Sequence, residues 1–182
     1  MEIRPIRPSD EAALRELCLA TTPLRRREAS ERFVIWQSFG QYYMDCEAAH
    51  CFIAIEEDQP VGAVLCAPDY ADYMRRFTER VYPKCKPYGY MLTATARQTA
   101  LLHQKLAGRY PAHMQCLWPN PRQDLARPLF DALAAHLEAL ECRGVCAFPG
   151  KKQAALWETL SAMGFDLFSK SGQMLVMGKE LF

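Results

Sequence analysis

The chain has 182 residues, half of them hydrophobic and 24% charged, a size and composition suited to one domain with a sizeable buried core. Its formal net charge of +1 supplies no field to draw it onto nucleic acid or an anionic membrane. Met1 to Asp10 lacks an apolar leader and no apolar run is long enough to cross a bilayer, so a cytoplasmic protein is expected.

Ile3 to Arg7 reads as a short strand whose prolines suit an edge position. Ser9 is placed as the cap of a first helix, with Asp10 and Glu11 in its first turn and Leu14, Leu17 and Cys18 at helical spacing. A second helix is expected over 28–46, with Phe33, Trp36, Tyr43 and Met44 on one side and Gly40 as its weak point. Phe52–Ile55 and Val61–Leu65 form an expected antiparallel hairpin. A helical stretch broken by Pro83, Pro87 and Gly89 follows, read as an insertion at about 69–109. His113–Trp118 is the next strand, and Leu125, Leu129, Leu133, Leu137 and Leu140 then mark an amphipathic helix with Gly144 near its end. Val145–Phe148 is a buried strand, Ala154–Met163 a helix stopped by Gly164, and Phe165–Phe168 and Met174–Met177 two last strands. With no internal repeat and no linker, one mixed α/β domain is predicted over 1–182.

Eight cysteines need an account. No two form a C-x-x-C pair, and most lie in apolar stretches, so they read as reduced thiols serving as small buried hydrophobes. The cluster Cys46, His50 and Cys51 is the nearest approach to a metal site but lacks a second ligand pair at zinc spacing. No metal is expected.

The segment from His113 through the long helix carries the chemistry. A strand that feeds a tight turn and a helix start makes an anion site, because the first backbone N–H groups have no partner within the helix and the dipole is positive there. Asp124 is the natural N-cap of that helix. Arg122 and Arg127 are cations at a helix end that disfavours cations, which points to phosphate contact rather than to surface charge. A carboxylate at Asp124 opposes bound phosphate and occupies donors it needs, so Asp124→Gly is expected to tighten phosphate-ligand binding.

Pro121-Arg122-Gln123-Asp124-Leu125-Ala126 resembles the pyrophosphate turn of the GNAT superfamily of acyl-CoA N-acyltransferases, which reads Gln/Arg-x-x-Gly-x-Gly/Ala. Ala126, the two arginines and the leucine-rich helix match; Pro121 and Asp124 depart. The resemblance extends to Ile3-Arg4-Pro5 with Pro8-Ser9-Asp10, to Cys51–Pro68 with Val61-Gly62, and to Ala154–Phe165 with its closing Gly164-Phe165. The chain is similar to bacterial members allied to the acetyltransferase-like module of O-GlcNAc hydrolases. The resemblance implies a GNAT fold, a mixed and mainly antiparallel sheet flanked by helices.

It further implies acetyl-CoA as co-substrate and an amine as acceptor, attacked directly without a covalent enzyme intermediate. Backbone groups of Gln115, Cys116, Leu117 and Trp118 would align the pantetheine arm as an extra strand. Amides of Arg122, Gln123, Asp124, Leu125, Ala126 and Arg127 would hold the pyrophosphate, and Gln153 stands where the family commonly has Asn. The family's proton-donating tyrosine corresponds to Leu160, which cannot donate a proton. Ser161, Tyr88, Tyr90 and His113 are the alternatives, and the catalytic residue stays open. Trp36, Tyr42 and Tyr43 are either core or part of an acceptor groove. Arg25-Arg26-Arg27 reads as a solvated basic run. Two other readings stay beside the N-acetyltransferase: a catalytically weak or inactive acyl-CoA-binding or regulatory module, and an interaction module that binds no acyl-CoA. Acceptor identity and oligomeric state are undetermined.

Overall fold

The computed structural model describes residues 1–22, 28–88, 106–119, 122–171 and 174–182. Arg25-Arg26-Arg27, Tyr90, Pro121 and the middle of the proposed insertion lie outside them.

Seven described strands form one sheet: β1 (Glu2–Pro5), β2 (Phe52–Glu56), β3 (Gln59–Ala67), β4 (Ala112–Leu117), β5 (Gly144–Ala147), β6 (Asp166–Ser171) and β7 (Met174–Glu180). Their order is β1-β2-β3-β4-β5-β7-β6. β1 is an edge, where Pro5 removes no interior ladder bond. The β2–β3 hairpin turns through Glu57 and Asp58, both at positive φ (47° and 61°), the backbone of a tight two-residue turn. Every pairing is antiparallel except β4 with β5, which run parallel.

Helices cover both faces. On one lie α1 (Glu11–Thr21), α2 (Ala29–Trp36), a π turn (Gln37–Gln41), α3 (Tyr42–Cys46), α4 (Tyr70–Arg80) and α5 (Tyr82–Cys85). On the other lie α6 (Ala126–Ala139) and α7 (Ala154–Ala162). Strand alternation feeds both layers: Ala63, Leu65 and Ala67 join the first core, Val64 and Cys66 the second. Leu125, Leu129, Leu133 and Leu137 are fully buried under α6, each worth about 1.5–3 kcal/mol on the transfer scale.

The expected second helix exists as three consecutive pieces, α2, the π turn and α3. Gly40 sits in the π turn because a Cβ there would lie 2.1 Å from the Trp36 ring. Ser9 does not cap α1. It lies in a 3₁₀ turn, Pro8–Asp10, and Asp10 closes that turn by accepting the Arg7 amide at 2.7 Å. Arg4 donates to both Asp10 oxygens at 2.8 Å, which holds this carboxyl below its ordinary range. Gly144 does not end α6 either. Glu141 takes the left-handed position after the helix (φ 57°), and the Cys142 amide reaches back to Leu137 O at 2.9 Å. Gly164 does end α7, at φ +86°. That turn brings Phe165 against Phe130, with ring centroids 5.3 Å apart.

The eight cysteines are free and six are buried. Cys51 donates to Glu47 O at 3.2 Å, whereas His50 faces His136 of α6, Nδ1 to Nε2 2.9 Å. The sequence neighbours Cys51 and His50 are thus committed to different partners.

Gly144 opens β5, where an added Cβ would stand 2.6 Å from Arg109 O. Gly144→Ala is expected to cost about 2 kcal/mol through overpacking against backbone, read by urea unfolding. Burial, then the neighbouring His136, lowers His50 from its ordinary 6.5. The unfolded chain therefore takes up the proton first as pH falls, and stability drops from about pH 6.5 down to the depressed folded value. Melting temperature should fall in that window for the wild type and more weakly for His50→Gln.

Candidate functional site

The central feature is a fork in the sheet. β4 and β5 pair only at Ala112–Val145, His113–Cys146 and Met114–Ala147. Beyond that point Gln115, Cys116 and Leu117 remain paired to Leu65, Val64 and Ala63 of β3. Among the described residues no strand lies on their other edge. The β5 side continues into Phe148-Pro149, and Pro149 has no amide hydrogen with which to extend a ladder. Leu175 of β7 instead donates to Pro149 O at 2.9 Å. The backbone of Gln115–Leu117 therefore presents an edge that an extended ligand can join, as β-augmentation requires.

The fork leads to the turn. Arg122 donates its amide to Pro119 O at 2.8 Å, and Gln123–Leu125 form a 3₁₀ turn before α6 starts at Ala126. Gly62 of β3 permits this approach, since a Cβ there would stand 2.9 Å from Leu125 Cδ1. Leu125 and Ala126 face inward, whereas Gln123, Asp124 and Arg127 are exposed. In the first turn of α6 the Ala126 amide is used by Gln123 O, and Pro128 has none to offer. The helix start therefore has fewer donors for an anion than an ordinary one.

Asp124 is not the N-cap. Its carboxylate turns to Arg122, with Nε–Oδ1 3.0 Å and Nη2–Oδ2 2.8 Å, and Leu125 occupies the position before α6. The guanidinium hydrogen bond lowers the Asp124 carboxyl. Arg122 also donates to Glu56 at the end of β2, at 2.8 Å, and Asp124 followed by Glu56 raises it. One cation is thus held by two carboxylates. Arg127 pairs with Asp131 one turn along, at 3.0 Å. Glu56 also borders an open depression of about 520 Å³ shared with Met1, Glu57, Gln59 and Val61. Two carboxylates make that depression a poor phosphate site.

The remaining expected residues divide between contact surface and core. Leu117 and Trp118 are buried in opposite cores, so only their backbone can serve a ligand. Gln115 and Cys116 are half-buried, and burial raises the Cys116 thiol, which disfavours a nucleophilic thiolate. Gln153 precedes α7 and closes its own turn, with Oε1 accepting the Gly150 amide at 2.7 Å. Its carboxamide hydrogens are what remain for a ligand.

Leu160 is fully buried in the second core. Ser161 is exposed, Tyr88 is 54% exposed, and Tyr90 is outside the described residues. Trp36, Tyr42 and Tyr43 are core, at 3%, 1% and 0% exposure. Tyr42 donates to Glu47 at 2.7 Å, and burial, then that hydrogen bond, raises its phenol. His113 lies on β4 with Nδ1 3.2 Å from the Tyr43 hydroxyl. The Glu56–Arg122 contact spans 66 residues and the Tyr43–His113 contact 70. No local signal in the sequence marks either.

No family model matches the sequence, and no curated protein does. Solved structures do match. SsHAT superposes with a TM-score of 0.85 at 19% identity, covering 100% of this chain and 98% of its own. A polyamine N-acetyltransferase from Drosophila melanogaster, which forms N-acetylagmatine, gives 0.64 at 14% identity, covering 98% and 99%. The PaiA N-acetyltransferase of Thermoplasma acidophilum, solved with coenzyme A, gives 0.63 at 10% identity, covering 98% of each. On these likenesses the chain, with its seven-stranded, mainly antiparallel sheet flanked by helices, has the fold of the GNAT acetyltransferases.

Proposed function

We propose that this chain transfers an acetyl group from acetyl-CoA to the nitrogen of an amine. The observation that carries the reading is the fork. It exposes the edge of Gln115–Leu117 and runs into a turn where Arg122 precedes a helix N-terminus. A linear donor with a peptide-like arm and a pyrophosphate suits that sequence of groups, extended along the strand and charged at the turn. Gln115, Cys116, Leu117 and Trp118 would align the arm through their backbone, and the turn 122–127 with Gln153 would hold the other end. Proximity of the two substrates would supply the main rate term. Neighbours of this fold acetylate small amines in two cases, a polyamine and agmatine, which supports an amine acceptor here. The reading treats 1–182 as one domain, with the stretch at about 69–109 shaping the acceptor side, and places the protein in the cytoplasm. No described helix is long and apolar enough to cross a membrane.

Specific observations also favour a catalytically weak acyl-CoA-binding module. Arg122 is shared by two carboxylates, Pro128 deletes a donor, and Leu160 is apolar. Ligand binding separates this reading from an interaction module that takes no acyl-CoA, and turnover separates it from the enzyme. Acetyl-CoA at a hundred times its Kd stabilises a binder by about 2.7 kcal/mol, a rise of several degrees in melting temperature. CoA release with polyamines, agmatine and lysine peptides should then be measurable. A binder without CoA release on any amine is the weak module, and a protein with no thermal shift is neither.

Asp124→Gly and Glu56→Gln each release Arg122 from one carboxylate. Because exposed ion pairs are individually weak, each change should tighten acetyl-CoA by about fivefold at low salt, with the gain shrinking as salt is added. Calorimetry that gives equal or weaker affinity in both variants removes the carboxylates from the account.

A further inference from the structure

We propose that the donor is recognised by its pantetheine arm and hardly by its phosphates, so that an acetyl thioester of pantetheine serves this site as well as acetyl-CoA does. This rests on the acetyltransferase reading and narrows its donor. The chemistry recognised is a chain of two amides ending in a thioester, whether a nucleotide or a carrier protein holds its far end.

The turn supplies the first half of the argument. A phosphate at a helix start is held by backbone N–H groups and by a cation free to turn toward it. Here the Arg122 amide goes to Pro119 O at 2.8 Å and the Leu125 amide to Arg122 O at 3.2 Å. The Ala126 amide goes to Gln123 O, and Pro128 has no amide hydrogen. The cations are engaged as well. Arg122 reaches Glu56 and Asp124, each at 2.8 Å, and Arg127 reaches Asp131 at 3.0 Å. A phosphate approaching Arg122 therefore meets the two carboxylates that hold it and replaces one ion pair by another. Between solvent-accessible groups such an exchange changes affinity by about fivefold at most. Two charge-assisted hydrogen bonds from an unengaged arginine would give on the order of 100-fold. Lys151 and Lys152, on the β5 side of the fork, are exposed, where pairing to a phosphate is equally weak.

The strand edge supplies the second half. Gln115, Cys116 and Leu117 keep their pairing to Leu65, Val64 and Ala63 of β3, so their backbone is held straight on one side and offered on the other. Three residues span about 10 Å at about 3.3 Å per residue, room for both amides of an arm laid along the strand. Leu117 and Trp118 bury their side chains in opposite cores, which fixes the strand and leaves its backbone as the contact. Main-chain hydrogen bonds of this kind supply the affinity in strand addition. They join neutral groups, so salt leaves them nearly unchanged, unlike a contact to phosphate.

Calorimetry on the full chain compares acetyl-CoA, S-acetyl-phosphopantetheine and S-acetylpantetheine at low and high salt. The kcat/KM of each donor with the best amine of the panel is a second readout. Wild-type affinities for the three should agree within about tenfold and change little with salt. The double variant Glu56→Gln/Asp124→Gly frees Arg122. It should tighten acetyl-CoA by about tenfold and leave S-acetylpantetheine within about twofold, creating a preference for phosphates that the wild type lacks. A wild-type preference for acetyl-CoA over S-acetylpantetheine above about tenfold overturns the proposal and leaves the acetyltransferase reading intact. A double variant that tightens both donors alike overturns it too, because Arg122 is then not what withholds the phosphates. S-acetyl-phosphopantetheine bound more than about tenfold tighter than the other two also overturns it, in favour of a single phosphate such as a carrier protein bears. A wild type that binds none of the three thioesters overturns both readings together.

Discussion

The geometry of the protein rests on the early parting of one parallel strand pair. Three residue pairs join β4 to β5 and the fourth does not form, since Pro149 cannot donate and Phe148 has turned into the aromatic core. β4 stays straight because β3 holds its other edge through Leu117. The outcome is a backbone edge exposed in the middle of a sheet whose two faces are both covered by helices. Edges of this kind are normally avoided or blocked. Its place at the centre of the sheet, directly before a helix start, is what carries the proposed reading of it as a ligand track.

Everything near the track follows from how its two faces are packed. On one side the 3₁₀ turn and α6 together bring four fully buried leucines against Val64, Cys66 and Met114, and Gly62 allows Leu125 close enough for the turn to sit over β3. On the other side α3 and α4 surround the vertex with phenols and one imidazole. The first face is apolar and carries the turn that precedes α6. Among the described residues, the second face packs Tyr43, Tyr70, Tyr73 and His113 together beside the vertex. Strand alternation thus gives the two faces of the fork different chemistry, one apolar and one rich in phenols.

The turn shows how local charge redefines a familiar arrangement. Asp124 would repel a phosphate if it stood alone. Paired with Arg122, which Glu56 also holds, it becomes part of an internal ion cluster that a ligand must rearrange or tolerate. Arg122 is exposed enough for salt to screen its ion pairs, so under the proposed reading affinity at this turn would vary with ionic strength as well as with fit.

Element type and order were legible in the sequence by itself. Leucine spacing from Leu125 to Leu137, the β-rich runs around Glu57-Asp58 and the Gly164-Phe165 stop are local patterns, and each formed as such, whereas Leu140 follows the end of α6 and is exposed. The setting of the turn between strand and helix was also legible, because it depends on neighbours along the chain. What misled was likewise local: Ser9, Asp124 and Gly144 each have the chemistry of a cap, yet Asp10 and Arg122 offered stronger charged partners, and Gly144 was needed where Arg109 O passes close to β5. Only the tertiary structure decided that β4 and β5 part after Met114, that Glu56 reaches Arg122 and that Tyr43 reaches His113. These contacts join residues 66 and 70 positions apart, and pattern along a chain carries no record of which distant side chains the sheet will bring together.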